Sequence, residues 1–227
     1  MQKIRGILRD LTRSPRVRRW VETLAFVLFF LAVRSSIASA YSVPTASMVP
    51  TFLPGDRFFA TQFSYGLRVP FTDVRLTRVT PPERGDIVVF PSPREPDTDL
   101  VKRVAAVGGD VVEVRNGRLL IDGVAVDVTP PEPQPDGSEL AWETLGATRH
   151  RVRYLPRTPH LRAFGPLRLP PGHFLALGDN RDDSADGRVF GPVPYERLRA
   201  KGQRLFYSLD TRRFPFVRFE RTGAALR

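Results

Sequence analysis

The chain has 227 residues, 41% of them apolar, with 22 prolines, no cysteine and a formal net charge of +11. That length fits one domain of ordinary size carrying an elaboration. The composition excludes wholesale disorder, a helical bundle, disulfides, thiol nucleophiles and Cys-ligated metals. The charge is uneven: residues 1–20 hold seven basic side chains against Asp10, more than half of the excess. This is the pattern of a membrane orientation signal, not of a nucleic-acid face, and no nucleic-acid partner is expected.

Residues 23–33 are apolar and uncharged. With the weakly apolar stretch after Arg34, segment 23–42 has about the 20 residues that cross a bilayer as a helix. The sequence therefore reads as a cytoplasmic basic N-terminus (1–22), one transmembrane anchor (23–42) and an extracytoplasmic domain (43–227). A cleavable secretory signal ending at Ala38-Ser39-Ala40 is the competing reading. Arg34, which interrupts the region before that site, favours retention.

Ser47 follows, between Pro44 and Pro50, which restrict the backbone around it. A hydroxyl on a constrained turn is a candidate nucleophile, and it is also what an ordinary loop contains. Residues 57–63 read as a strand, followed by an Arg- and Pro-rich loop to Arg84. Residues 85–90 form a short buried strand, and 100–107 another, with Lys102 inside it. Segments 111–115 and 118–122 make a hairpin around Asn116-Gly117, the residues of a type I′ turn. After 124–128 and a Pro-rich loop at 129–138, the region 139–171 is irregular, with only 151–154 legible as a strand. It reads as an insertion within a variable β region spanning about 115–171. A buried strand at 173–177 runs into the loop that starts at Gly178. One or two helical turns at 195–200 and a strand at 203–208 complete the pattern. The expected fold class is mostly β, an antiparallel β-sheet catalytic domain behind one N-terminal transmembrane helix.

A serine hydrolase needs a base. His150 and His160 lie in the least patterned region and His173 opens a buried strand, so a histidine triad is not favoured. Lys102 is the other candidate. It can act only when neutral, which burial among Leu100, Val101 and Val104 would promote. The competing picture is a solvated lysine on an edge strand, and the pattern alone leaves the two open. The acidic stretch 182–187 invites a calcium reading. Val193 stands where a bidentate glutamate is required, however, and Arg181 and Arg188 would repel a cation. An internally paired Asp/Arg/Asn loop that braces a site and presents Ser184 fits better.

These residues carry a resemblance to the bacterial signal peptidase I family, membrane-anchored serine endopeptidases that remove signal peptides. Its boxes are matched in family order by Ser47-Met48-Val49-Pro50-Thr51 with Pro54-Gly55-Asp56, by Gly85-Asp86-Ile87-Val88, by Lys102-Arg103-Val104, and by Gly178 through Asp186. The resemblance covers residues 18 to 210. It implies Ser47 as nucleophile, Lys102 as general base, and Thr45 with the Ser47 amide as the oxyanion hole. It further implies Ser184 as the group orienting the lysine, and a supporting loop of Asp179, Asn180, Arg181, Asp186 and Arg188. Val43, Met48 and Val101 fall where the family lines its small-residue substrate pocket. By the same resemblance no metal or cofactor is needed. Secretory preproteins and the lipid bilayer are the partners, the protein is a monomer, and it sits in the bacterial cytoplasmic membrane facing outward. The chain departs from the family at Ala105, Ala106 and Gly108, where Gly and Pro are usual, and at Gly187, where Ser is usual. A self-cleaving regulator with Ser/Lys chemistry and a catalytically silent tethered binding protein are the alternatives. The apolar segment and last box count against the first, and intact Ser47, Lys102 and Ser184 against the second.

Overall fold

The computed structural model describes residues 15–66, 76–95, 97–210, 217–224 and 226. The first 14 residues of the expected cytoplasmic segment and part of the Arg- and Pro-rich loop lie outside these. In chain order the elements begin with helix α1 (Pro15–Ile37), β1 (Ala38–Ser42), β2 (Asp56–Thr61), β3 (Ile87–Pro91) and β4 (Asp99–Val107). Next come β5 (Val111–Arg115), β6 (Arg118–Ile121), β7 (Val124–Ala125), β8 (Glu132–Pro133), β9 (Glu139–Leu145), β10 (Thr148–Tyr154) and β11 (Phe164–Arg168). The last are β12 (His173–Leu177), the single-turn α2 (Gly187–Phe190), β13 (Val193–Pro194) and β14 (Ala200–Ser208).

One antiparallel sheet of seven strands, ordered β1-β2-β14-β3-β4-β12-β13, forms the base of the site. Strand β3 reads Ile-Val-Val-Phe because it is buried on both faces. Ile87 and Val89 pack with Val43, Met48, Phe52 and Phe58, while Val88 and Phe90 pack with Val104, Phe174 and Leu198 on the other side. Strand β4 lies between β3 and β12, in the sheet interior and not at its edge, and its residues 102–106 are buried.

Two smaller sheets, β11-β5-β6-β7 and β10-β9-β8, fill the region between β4 and β12. The β5–β6 hairpin turns on Asn116 and Gly117, both with positive φ (52° and 79°), as a type I′ turn requires. Segment 139–171 is more ordered than its sequence suggests. Strands β9 and β10 form a seven-pair hairpin, from Leu145 opposite Thr148 to Glu139 opposite Tyr154. Its alternation is hidden because two of its buried positions are Glu143 and His150.

The N-terminal segment also corrects the sequence reading. The helix begins at Pro15, ahead of residue 23, and ends at Ile37, short of Ser42. Ala38–Ser42 is instead an edge strand, with Ala38 opposite Thr61 and Ser42 opposite Arg57. Serine is a poor helix interior residue, and β2 satisfies this backbone directly. From Thr23 the remaining helix is roughly 22 Å long at 1.5 Å per residue. Among the described residues no helix is long and apolar enough to cross a membrane.

Candidate active site

The turn carrying Ser47 is fixed from both ends. Val43 is pinned to the start of β2, its amide donating to Asp56 O and its carbonyl accepting from Gly55 N, each at 2.9 Å. Beyond Ser47 the Val49 amide closes a turn on Ala46 O at 3.0 Å, and Phe52 N bonds Met48 O at 2.9 Å. Val43, Met48 and Phe52 are all buried in one cluster, so this turn sits on an apolar floor that leaves Ser47 half-buried above it. Thr45 is exposed, with Oγ1 3.4 Å from Ser47 Oγ.

Lys102 reaches the same hydroxyl from β4. Its side chain is only 2% exposed, and its Nζ lies against Ser47 Oγ in hydrogen-bond contact. Burial disfavours the ammonium form and lowers the Lys102 pKa to about 8. Asp186 and Asp179 oppose that shift by attracting the charge, and Arg188 reinforces it. An alkylamine poised near neutrality beside a serine hydroxyl can take its proton and return it.

The loop from Gly178 to Asp186 braces both residues. The Asn180 amide donates to Ser47 O and its Nδ2 donates to Ala46 O, each at 3.1 Å. Asp179 accepts two bonds from Arg103 and one from Thr51. Burial alone would raise the Asp179 carboxyl pKa; the Arg103 charge and its hydrogen bonds outweigh this and hold it below the usual range. Asp186 caps α2 through the Arg188 amide, pairs bidentately with the Arg188 guanidinium and accepts from Gly178 N at 2.9 Å. The expectation of an internally paired loop needs correction, since among the described residues three of its ion pairs with arginine or glutamate reach outward. Asp179 pairs with Arg103, Arg181 with Glu143 of β9, and Asp182 with Arg162.

Ser184 Oγ is buried and has no hydrogen-bond partner among the described residues. It faces Gly178, where a Cβ would stand 2.2 Å from Ser184 Oγ and 2.5 Å from Ser47 O. Only glycine permits this approach of the loop to the Ser47 backbone. Gly187 is similarly close-packed: a Cβ there would meet Ala176 O at 2.8 Å.

The same ordered boxes extend to whole-chain comparisons. The family described as signal peptidase, peptidase S26, matches residues 17–207. The chain belongs to this family. As an S26 family member it is a serine peptidase, and its relatives include named signal peptidases. Signal peptidase I of Pseudomonas fluorescens is 35% identical over 210 residues, covering 86% of this chain and 74% of that protein. Signal peptidase I of Aquifex aeolicus (strain VF5) is 30% identical over 226 residues, covering 83% of each chain. A solved signal peptidase I from Enterococcus faecalis V583 is 26% identical and covers 53% of this chain and 95% of its own. Its TM-score is 0.35, too low to bear on the fold.

The structure thus brings Thr45, Ser47, Lys102, Asp179 and Asn180 to one place, with Asp186 and Arg188 behind them. Val43 and Met48, at 4% and 1% exposed, lie in the core beneath the turn, and Val101 packs on their cluster half-buried. Three participants were given no role by the sequence reading: Thr51, named only within its box, which bonds Asp179, His150, set aside as a base, and its buried partner Glu143. His150 is wholly buried, with Nε2 3.3 Å from Glu143 Oε2 and 3.9 Å from Asp179 Oδ1. The signal that would have found this pair is its spacing, both residues falling on the inward positions of two seven-residue strands.

Proposed function

We propose that this peptidase removes N-terminal signal peptides from exported preproteins by a Ser47/Lys102 dyad, cutting after small-x-small sequences such as Ala-x-Ala. The observation that carries the reading is a buried, low-pKa lysine in contact with the hydroxyl of a serine on a rigid turn. Neutral Lys102 takes the proton of Ser47 Oγ as it attacks the scissile carbonyl, and the resulting ammonium gives a proton to the departing amine. The acyl-enzyme is then opened by water, with Lys102 again acting as base. The Ser47 amide and the Thr45 hydroxyl stabilise the oxyanion, a contribution of roughly two to three orders of magnitude in rate per donor. Ser184 is assigned to orient the lysine by the family resemblance alone; its buried hydroxyl lies beside Gly178 and bonds no group among the described residues. The end of the signal peptide binds as an added strand, its small side chains entering shallow pockets shaped by Val43, Met48 and Val101.

The N-terminal segment that contains α1 anchors the enzyme, as a monomer, at the outer face of the bacterial cytoplasmic membrane, with the basic residues before the apolar stretch on the inner side. Trp20, Val21, Leu24, Phe26 and Val27 are exposed on α1, an arrangement that suits lipid and not water. Anchoring confines enzyme and cleavage site to one interfacial layer. The test is incubation of the detergent-solubilised protein with a preprotein, followed by sequencing of the new N-terminus. A cut after a small-x-small sequence is expected, and no cut, or one elsewhere, refutes the reading.

A further inference from the structure

The β9–β10 hairpin has no task in the chemistry above, yet it carries a buried charge cluster that ends on the nucleophile's backbone. Glu143 and His150 stand opposite each other in the hairpin register, both wholly buried. Glu143 accepts from both terminal nitrogens of Arg181, Nη1 to Oε1 at 2.7 Å and Nη2 to Oε2. Burial by itself would push the Glu143 carboxyl up, but the Arg181 charge and the contacts of His150 and Arg181 hold it at about 2, so the pair is ionised.

Arg181 directly follows Asn180, whose amide and side chain hold the carbonyls of Ser47 and Ala46. Strand β10 is joined to the same loop by its backbone, Arg153 N to Asp179 O at 2.8 Å and Arg181 N to Arg153 O at 2.9 Å. His150 lies between Glu143 and Asp179, the carboxylate that grips Arg103, the residue after Lys102. One cluster thus touches the supports of both nucleophile and base. Stability does not explain why such a pair stands in a hairpin core, because well-packed apolar residues there do as well or better. Two parallel charge-assisted bonds do provide direction, since they fix where Arg181 and the loop behind it can lie.

We propose that Glu143, supported by His150, is a positioning residue: its ion pair with Arg181 holds the Asn180 amide on the Ser47 carbonyl and so sets the nucleophile against Lys102. This rests on the Ser47/Lys102 reading of the site. The variant that isolates it is Glu143→Met/Arg181→Met, which removes both charges together and leaves neither buried alone. The expected result is a protein that melts cooperatively, with kcat at least tenfold lower, KM within threefold of wild type, and faster hydrogen exchange at the Asn180 amide. Glu132→Gln, which touches only an exposed pair with Arg151, is the neutral control. A folded double variant with kcat less than tenfold reduced, or with the Asn180 amide protected as in wild type, overturns the proposal. Should the double variant not fold, Glu143→Asp keeps the charge and draws the carboxylate back by one methylene. It is expected to lower kcat with KM unmoved, and wild-type kcat in it overturns the proposal equally. The exchange measurement needs no substrate, so wild-type protein that leaves preproteins uncut refutes the signal-peptide reading and not the clamp.

Discussion

Arg103 grips the Asp179 carboxylate with two parallel bonds, Nε to Oδ1 at 2.9 Å and Nη2 to Oδ2 at 2.8 Å, both side chains being buried. Because Arg103 follows Lys102 in β4, this grip fixes the strand that aims the lysine at Ser47. Asp179→Asn keeps the shape and removes the charge, leaving a buried guanidinium without its counter-ion. A loss of about 3–5 kcal/mol is expected by denaturant titration. A loss below about 1 kcal/mol would mean that water reaches Arg103 and that the pair is not the joint described here.

Lys102 trades stability for chemistry. Its folded pKa of about 8 lies below the ordinary lysine value of 10.5, a difference worth roughly 3 kcal/mol. The sign follows from proton counting: below about pH 8 both folded and unfolded chains carry the proton, and the cost of burying the charge is present in full. Between about 8 and 10.5 the unfolded chain holds a proton that the folded one lacks, so stability rises with pH. Lys102→Met is therefore expected to abolish cleavage and to raise stability at pH 7 by as much as roughly 3 kcal/mol. An inactive but destabilised variant would contradict the assignment of burial as the cause.

Gly178→Ala tests the contact between the loop and the Ser47 turn. Its new methyl would collide with Ser184 and with the Ser47 carbonyl, neither of which can retreat without moving the site. A destabilisation of about 1–3 kcal/mol is expected, along with a loss of activity larger than that destabilisation accounts for. Full activity in Gly178→Ala would show that the loop and the Ser47 turn are not held together as described.

The sequence made the core strands and the candidate chemical groups legible, because β3 and most of β12 are continuous apolar runs, β4 is apolar on either side of Lys102-Arg103, and Ser47, Lys102 and the Gly178 loop fall in ordered boxes. The Asn116-Gly117 hairpin was equally plain, since both residues tolerate positive φ. What stayed hidden shares one cause: polar side chains at buried positions. Glu143 and His150 break the apolar alternation of β9 and β10, so a regular hairpin read as irregular chain. Arg181 suggested a partner within its own loop, and nothing local pointed to Glu143, 38 residues earlier. Ala38–Ser42 read as helix because its pairing with β2 depends on residues much later in the chain.

That edge strand bears on the fate of the N-terminal segment. Ala38-Ser39-Ala40 is extended, so helical structure does not protect it; its hydrogen bonds to β2 do. Protein purified from membranes is expected to have an intact mass that includes α1 and to stay with the membrane through alkaline washing. A dominant soluble species beginning at Tyr41 would mean that the segment is removed and the enzyme works untethered.

The dyad itself is tested most directly by the dependence of kcat/KM on pH, measured on a signal-peptide substrate between pH 6 and 11. A base that must be neutral makes the rate rise with pH through the folded pKa of the free enzyme. With Lys102 buried as it is, one rising limb with an apparent pKa of about 8 is expected. A limb only near 10, where a solvated lysine titrates, or a rate indifferent to pH across this range, would contradict Lys102 as the base.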